Sequence, residues 1–335
     1  MPGKEKSQAR ESARCKSDSM AKMSSVKIVH LFSLLSFALL IAKVQGNNER
    51  PIIGIITQEV SDEVFFQYGK TYIADSYVNY LESAGCRVVP IRLNLSEDEY
   101  LSLFKSINGV LLPGGSAGLL TSNFSRIAGI FYKLSIEAAS SGIYFPIWGT
   151  CMGFQVLTAL TTGEDLLSNT SAENISLPLN LTKDITSSRM FRHVPPKLLQ
   201  AVTRESITAN FHHFGLTPEV FYANKKLSEF YRILSTNRDT KGVEFISTFE
   251  ARDYPIYGVQ WHPEVNRFQW NQDYSYPHSE NAIWISQYMA NFFVNEARKN
   301  SNHFPSAKEE ASALIYNWSP TYTANISGYE QVYFF

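Results

Sequence analysis

The chain has 335 residues, of which 44% are hydrophobic and 18% charged, and its formal net charge at pH 7 is −1. This is the composition of a globular protein with enough apolar material for a core. The near-zero net charge argues against a nucleic-acid-binding protein, because such proteins usually carry a basic excess.

The first 46 residues predict a cleaved secretory signal peptide. Lysines precede an apolar run at 28–42, and small residues near 44–46 suit a cleavage site. The alternative is a transmembrane anchor, but a run of this length is short for a bilayer span. We therefore expect no stable membrane anchor. The leader is long, so translation could begin at Met20 or Met23.

Strands and helices alternate along the rest of the chain. Continuous apolar runs predict buried strands, and apolar residues at helical spacing predict helices between them. The pattern predicts an α/β fold, a mostly parallel open sheet with flanking helices, in a single domain over 47–335. The predicted strands are 51–56, 86–91, 109–112, 144–148 and 255–261, and the predicted helices are 72–84, 97–105, 124–141 and 281–299.

The segment near 163–200 is polar and lacks clear periodicity, which predicts an excursion from the central fold. It carries three of the chain's seven Asn-x-Ser/Thr sequons. In an exported chain these are candidate glycosylation sites at the surface. The seven are Asn94, Asn123, Asn169, Asn174, Asn180, Asn317 and Asn325.

A cysteine lies at the sharpest predicted turn, between the strand 144–148 and a following helix. Gly149 and Gly153 flank Cys151 in the G-x-C-x-G pattern of a nucleophile elbow. The N-terminus of a helix favours thiolate over thiol, and the N–H of Met152 is a natural oxyanion donor. The alternative is a buried structural cysteine, or a disulfide with Cys86 that would block reaction.

A second glycine-rich turn follows the strand 109–112. Ligands of parallel sheets bind at the carboxyl ends of the strands, where this turn and the Cys151 turn both lie. The N–H of Gly114 or Gly115 could therefore face a developing oxyanion opposite Met152. Taken alone, the segment could equally be a plain turn.

A thiolate nucleophile needs a general base that later acts as an acid. His262, at the end of the predicted strand 255–261, is the best candidate among seven histidines. Glu264 could accept a hydrogen bond from its imidazole and fix the tautomer. The alternative is a packed aromatic corner formed by Trp261 and His262.

The motifs at 113–115, 149–153 and 258–264 resemble those of the class I glutamine amidotransferase family. Further stretches, around Tyr77 and His212 among others, are similar to its gamma-glutamyl hydrolase branch. The resemblance extends over about 50–335. It implies a three-layer, flavodoxin-like fold.

The resemblance implies site residues as well. Cys151 would be the nucleophile, His262 the base and acid, and Glu264 the third member of the triad. Tyr77, His212 and Gln155 would contact substrate, although the neighbouring His213 could take the place of His212. Gln155 departs from the Glu that vertebrate relatives carry at this position.

The implied activity is hydrolysis of the gamma-glutamyl amide bonds of folate and antifolate poly-gamma-glutamates, without a metal or organic cofactor. A homodimer and an extracellular or lysosomal location are expected. Two alternatives stay open. One is a glutaminase that delivers ammonia to a synthase, and the other is a noncatalytic secreted binding protein.

Overall fold

The computed structural model describes residues 47–335, so the predicted leader lies outside the described residues. The strands within this range are β1 Ile52–Ile56, β2 Gln58–Glu59, β3 Thr71–Ala74, β4 Arg87–Ile91, β5 Gly109–Leu112, β6 Ile147–Thr150, β7 Ser168–Leu177, β8 Asn180–Leu181, β9 Thr208–Gly215, β10 Tyr231–Arg238, β11 Glu244–Ala251, β12 Ile256–Val259, β13 Thr321–Tyr322 and β14 Gln331–Phe334. The helices are α1 Asp75–Glu82, α2 Glu97–Ser106, α3 Asn123–Ser140, α4 Met152–Thr162, α5 Pro196–Arg204, α6 Pro218–Ala223, α7 Lys225–Phe230, α8 Val265–Phe268, α9 Glu280–Ala297 and α10 Ala307–Ala313.

The central sheet has the order β4-β1-β5-β6-β12-β11-β10-β8. The first five strands pair in parallel, and the last three continue the sheet antiparallel. Ranked by chain position, the parallel strands follow the flavodoxin-like order 2-1-3-4-5. The predicted mostly parallel α/β sheet is therefore confirmed.

Two apolar cores cover the faces of this sheet and make it the middle of three layers. Ile53 and Ile55 of β1 face a core built with α1, α5 and α9. Ile52 and Ile56 face the opposite core, which contains α2, α3 and α4. Because every residue of β1 is buried, its sequence is a continuous apolar run rather than an alternation.

The predicted helix 72–84 is wrong at its beginning. Thr71–Ala74 forms β3, which pairs with β2 and β14, and the helix starts only at Asp75. Helical spacing alone did not separate the two segments, because β14, one of the two strand partners, lies at the far end of the chain. This second sheet has the order β13-β14-β3-β2.

The predicted excursion near 163–200 contains regular structure. Its first strand, β7, forms a two-stranded antiparallel ribbon with β9, and β8 joins the edge of the central sheet. No helix in the range 47–335 is long and apolar enough to cross a membrane.

Candidate active site

Cys151 stands at the turn between β6 and α4 in a strained backbone conformation. Its φ of 49° and ψ of −106° are rare for a residue with a side chain. Its N–H donates to the Val259 carbonyl at 2.8 Å, which ties the turn to β12. The thiol is free, as is that of Cys86, so the two do not form a disulfide.

The glycines on either side allow this turn to form. A Cβ on Gly149 would lie 2.6 Å from the carbonyl carbon of Gly153, and one on Gly153 would lie 2.1 Å from the Leu112 carbonyl oxygen. Side chains at either position would clash with backbone. Met152 begins α4, so its N–H has no acceptor within the helix and is available beside the thiol.

The turn after β5 contains two backbone N–H groups that the sequence predicts as alternative oxyanion donors. Only one of them is available in the structure. The Gly114 N–H donates to the Tyr77 hydroxyl at 2.8 Å, so the prediction of Gly114 as an oxyanion donor is corrected. The Gly115 N–H forms no hydrogen bond with the residues from 47 to 335. Gly115 also borders, with Cys151, the cavities described below. Met152 and Gly115 are therefore the two candidate donors.

His262 and Glu264 form a buried pair immediately after β12. The imidazole Nδ1 lies 2.7 Å from Oε1 of Glu264, whose side chain is 2% exposed. Within the described residues the buried Nε2 has no hydrogen-bond partner. Nε2 is therefore the ring nitrogen left for the thiol and substrate.

The pKa of His262 reflects two opposing effects. Burial lowers the pKa, but the charges of Glu264 and of the Cys151 thiolate outweigh it and raise the pKa to about 10. The carboxylate of Glu264 therefore favours the imidazolium form of His262. A protonated histidine beside a thiolate is the starting state that acyl transfer by cysteine requires.

Two cavities meet at Cys151. The first, of about 460 Å³, is bordered by His262 and Glu264. Its wall is strongly aromatic, with Phe65, Tyr72, Phe211, Tyr274, Tyr276 and Tyr329. The second, of about 340 Å³, is bordered by Gln155 and His212. The nucleophile therefore borders open space on two sides.

Tyr77 borders neither of these two cavities, and its contact with substrate stays a prediction. It is 3% exposed, and its hydroxyl lies 3.4 Å from Nδ1 of His262. The same hydroxyl holds the Gly114 N–H. Tyr77 therefore contacts His262 and Gly114 through its hydroxyl and helps to fix their positions.

His212 reaches the second cavity, but both its ring nitrogens have partners. Nδ1 lies 3.0 Å from the Thr170 hydroxyl, and Nε2 lies 3.3 Å from Oδ1 of Asn210. Burial lowers the pKa of His212 to about 3, so the ring is neutral. The adjacent His213 is exposed and lies 3.3 Å from Glu173.

Gln155 lies one turn into α4 and also borders the second cavity. Its Nε2 donates to the Phe214 carbonyl at 2.9 Å and to Oε1 of Gln260 at 3.3 Å. The structure brings this side chain close to Cys151, and the role in substrate binding stays a prediction.

The aromatic wall and one buried amide were missed by sequence reasoning. Tyr274 and Tyr276 alternate in a short segment after α8, which was the available signal. Gln58 gave no signal, because only the fold brings it to the Gly114 carbonyl. No cluster of three His, Cys, Asp or Glu side chains in 47–335 is arranged to hold a metal ion.

Comparison with known proteins identifies the family. The model of the glutamine amidotransferase class-I family matches residues 68–276. Gamma-glutamyl hydrolase of Homo sapiens is 51% identical over 86% of this chain and 90% of its own length. Gamma-glutamyl hydrolase B of Dictyostelium discoideum is 39% identical over 92% of this chain and 90% of its own length.

Among solved structures, the glutaminase domain of Trypanosoma brucei CTPS with bound acivicin is 14% identical, with a TM-score of 0.49, over 76% of this chain and 96% of that chain. The family match and the identity to the two hydrolases cover most of the described residues. The chain therefore belongs to the gamma-glutamyl hydrolase family, within the class I glutamine amidotransferases.

Proposed function

We propose that this chain hydrolyses gamma-glutamyl amide bonds through a thioester on Cys151. The observation that carries the proposal is the strained cysteine at the N-terminus of α4, open to two cavities. The His262–Glu264 pair stands at one of them. The two relatives are named gamma-glutamyl hydrolases, which supports the gamma-glutamyl amide as the bond that is cleaved.

In the first half-reaction, the Cys151 thiolate attacks the gamma-carbonyl carbon. The C=O electron pair moves onto oxygen, and the N–H groups of Met152 and Gly115 stabilise the resulting oxyanion. The intermediate collapses to a thioester as the C–N bond breaks. His262 donates its Nε2 proton to the departing amine.

In the second half-reaction, neutral His262 takes a proton from water, and the hydroxide oxygen attacks the thioester carbon. Collapse of this second oxyanion releases the carboxylic acid and the thiolate, and the imidazolium is restored. Glu264 holds the imidazole in the tautomer that leaves Nε2 free for both transfers.

Each of the two cavities would hold one side of the scissile bond. Because His262 borders the first cavity, the leaving glutamate belongs there and the acyl side in the second. Neither cavity has a lysine or arginine in its wall, as far as residues 47–335 show. Histidine side chains, tyrosine and serine hydroxyls and backbone N–H groups are therefore among the donors available to the substrate carboxylates. The proposed substrates are folyl and antifolyl poly-gamma-glutamates.

We propose that the enzyme acts in the secretory pathway, outside the cell or in the lysosome, because the predicted leader and the sequons support export. Six of the seven sequon asparagines are exposed. Asn174 is half-buried, and its amide nitrogen donates to the Asp273 carbonyl at 2.9 Å. Glycans are therefore expected at the other sequons rather than at Asn174.

The experiment that tests the function compares three substrates. The purified enzyme is incubated with pteroyl-gamma-triglutamate, with the alpha-linked isomer and with free glutamine, and products are identified by mass spectrometry. Cleavage of the gamma-linked substrate alone supports the proposal. Ammonia release from glutamine as the main reaction would favour the glutaminase alternative. Ligand binding without turnover would favour the binding protein.

A further inference from the structure

In the turn after β5, both the N–H and the carbonyl of Gly114 form hydrogen bonds with side chains. The Gly114 N–H donates to the Tyr77 hydroxyl at 2.8 Å, and the Gly114 carbonyl accepts from Nε2 of Gln58 at 2.6 Å. Gln58 is 3% exposed and lies on β2, where it pairs with Tyr72 of β3. We propose that Gln58 is a positioning residue that orients the 114–115 peptide for oxyanion stabilisation.

The geometry of a trans peptide supports this assignment. Its C=O and N–H point in opposite directions, so fixing the Gly114 carbonyl toward Gln58 directs the Gly115 N–H away from Gln58. The turn passes directly against the reacting groups. A Cβ on Gly114 would lie 3.2 Å from Cβ of Cys151 and 2.6 Å from Cε1 of His262.

The peptide needs such a restraint because two glycines adjoin it. Glycine rotates into many backbone conformations at little cost, so an unrestrained 114–115 peptide could turn over. Turned over, it would present a carbonyl oxygen to the oxyanion and repel it. A Cβ on Gly115 would lie 1.6 Å from Oε1 of Gln58, so the amide packs directly against the peptide that it holds.

This inference rests on the proposed Cys151 mechanism, and substitutions of Gln58 test it. Gln58→Glu has nearly the same shape, but its carboxylate, once ionised, cannot donate to the Gly114 carbonyl. Loss of an oxyanion donor costs about 10²–10³ in rate, and a peptide that can still sample the right orientation should lose about 10–100-fold in kcat. KM should change little, because the oxyanion exists only after attack.

Two readouts separate positioning from general damage. The ratio of Gln58→Glu to parent kcat should rise as the pH falls, because a protonated carboxyl can donate again. Gln58→Met, of similar length but without a donor, should lose kcat at every pH. Alkylation of Cys151 by iodoacetamide forms no oxyanion, so its rate should match the parent in both variants.

A Gln58→Met variant with the kcat of the parent would overturn the inference. So would a fall in the alkylation rate in parallel with kcat, since the thiol itself would then be altered. Melting temperatures of both variants identify loss of folding. If the parent enzyme does not cleave gamma-glutamyl bonds, the proposed function fails first, independently of Gln58.

Discussion

At the scale of single residues, the environment of His262 decides which protonation state begins the reaction. Burial disfavours the imidazolium, but Glu264 at 2.7 Å and the nearby Cys151 thiolate favour it more strongly. The pKa is raised to about 10, which favours the proton that the leaving amine requires. Glu264 thus raises the pKa of His262 as well as orienting its imidazole ring.

Replacing Glu264 tests that electrostatic role. In Glu264→Gln the amide oxygen can still accept from Nδ1 of His262, but the negative charge is gone. The pKa of His262 should fall, so activity should be lost at a lower pH as the imidazolium deprotonates. The pH profile of kcat/KM measures this shift. An alkaline limb at the same pH as in the parent would contradict the assignment.

His212 links pH to stability. Its pKa is lowered to about 3, whereas an ordinary histidine takes up a proton near pH 6.5. Between these values the unfolded chain binds the proton and the folded chain does not, so stability is lost as pH falls. A single such site removes about 1.4 kcal/mol from the free energy of unfolding per pH unit in this window.

The variant His212→Gln keeps neutral hydrogen-bonding groups near Thr170 and Asn210. Its free energy of unfolding should decline less between pH 6.5 and 5 than that of the parent, by about 2 kcal/mol. Denaturant titrations at both pH values measure the difference, and His193→Gln, at an exposed position, is the control. Parallel declines in parent and His212→Gln would show that His212 is not the titrating group.

At the scale of elements, β7 positions part of the aromatic wall. Asn174 has a φ of 54°, and its side chain bridges the segment after α8. Its Nδ2 donates to the Asp273 carbonyl at 2.9 Å, and its Oδ1 accepts from the Ser275 N–H at 2.6 Å. Between them lies Tyr274, which stacks on Tyr276 with ring centroids 5.4 Å apart.

Removing this bridge should weaken substrate binding. Asn174→Gly tolerates the positive φ but deletes both hydrogen bonds, so Tyr274 is less well held. KM should rise about fivefold, the equivalent of about 1 kcal/mol, with kcat little changed. Asn169→Ala is the matched control, because it removes an exposed sequon on the same strand. Equal KM values in the two variants would contradict a positioning role for β7.

At the scale of the whole molecule, much of the fold follows from local patterns, and long-range pairing does not. Buried apolar runs and helical spacing predicted the parallel strands and their helices, because each is written within a few consecutive residues. The pairing of β3 with β14 joins segments about 260 residues apart, and nothing local encodes it. The same limit hid Gln58 and the aromatic wall, which approach Cys151 only through the fold.

Site residues that directly follow a parallel strand were easier to predict than the others. Cys151 follows β6, His262 follows β12 and Gly115 follows β5, and these strands are neighbours in the central sheet. Their convergence follows from the parallel order. Tyr77 and His212 do not lie at these strand ends, so their assignments to substrate contact rest on the family resemblance and stay predictions.

Cys151 is the proposed nucleophile of gamma-glutamyl hydrolysis. The most direct measurement compares turnover of pteroyl-gamma-triglutamate by the parent, by Cys151→Ala and by Cys86→Ala, which alters the other cysteine among residues 47–335. We predict loss of turnover in Cys151→Ala alone, and a mass increase from the acyl group on the Cys151 peptide of acid-quenched parent enzyme. Sustained hydrolysis by Cys151→Ala would contradict the account.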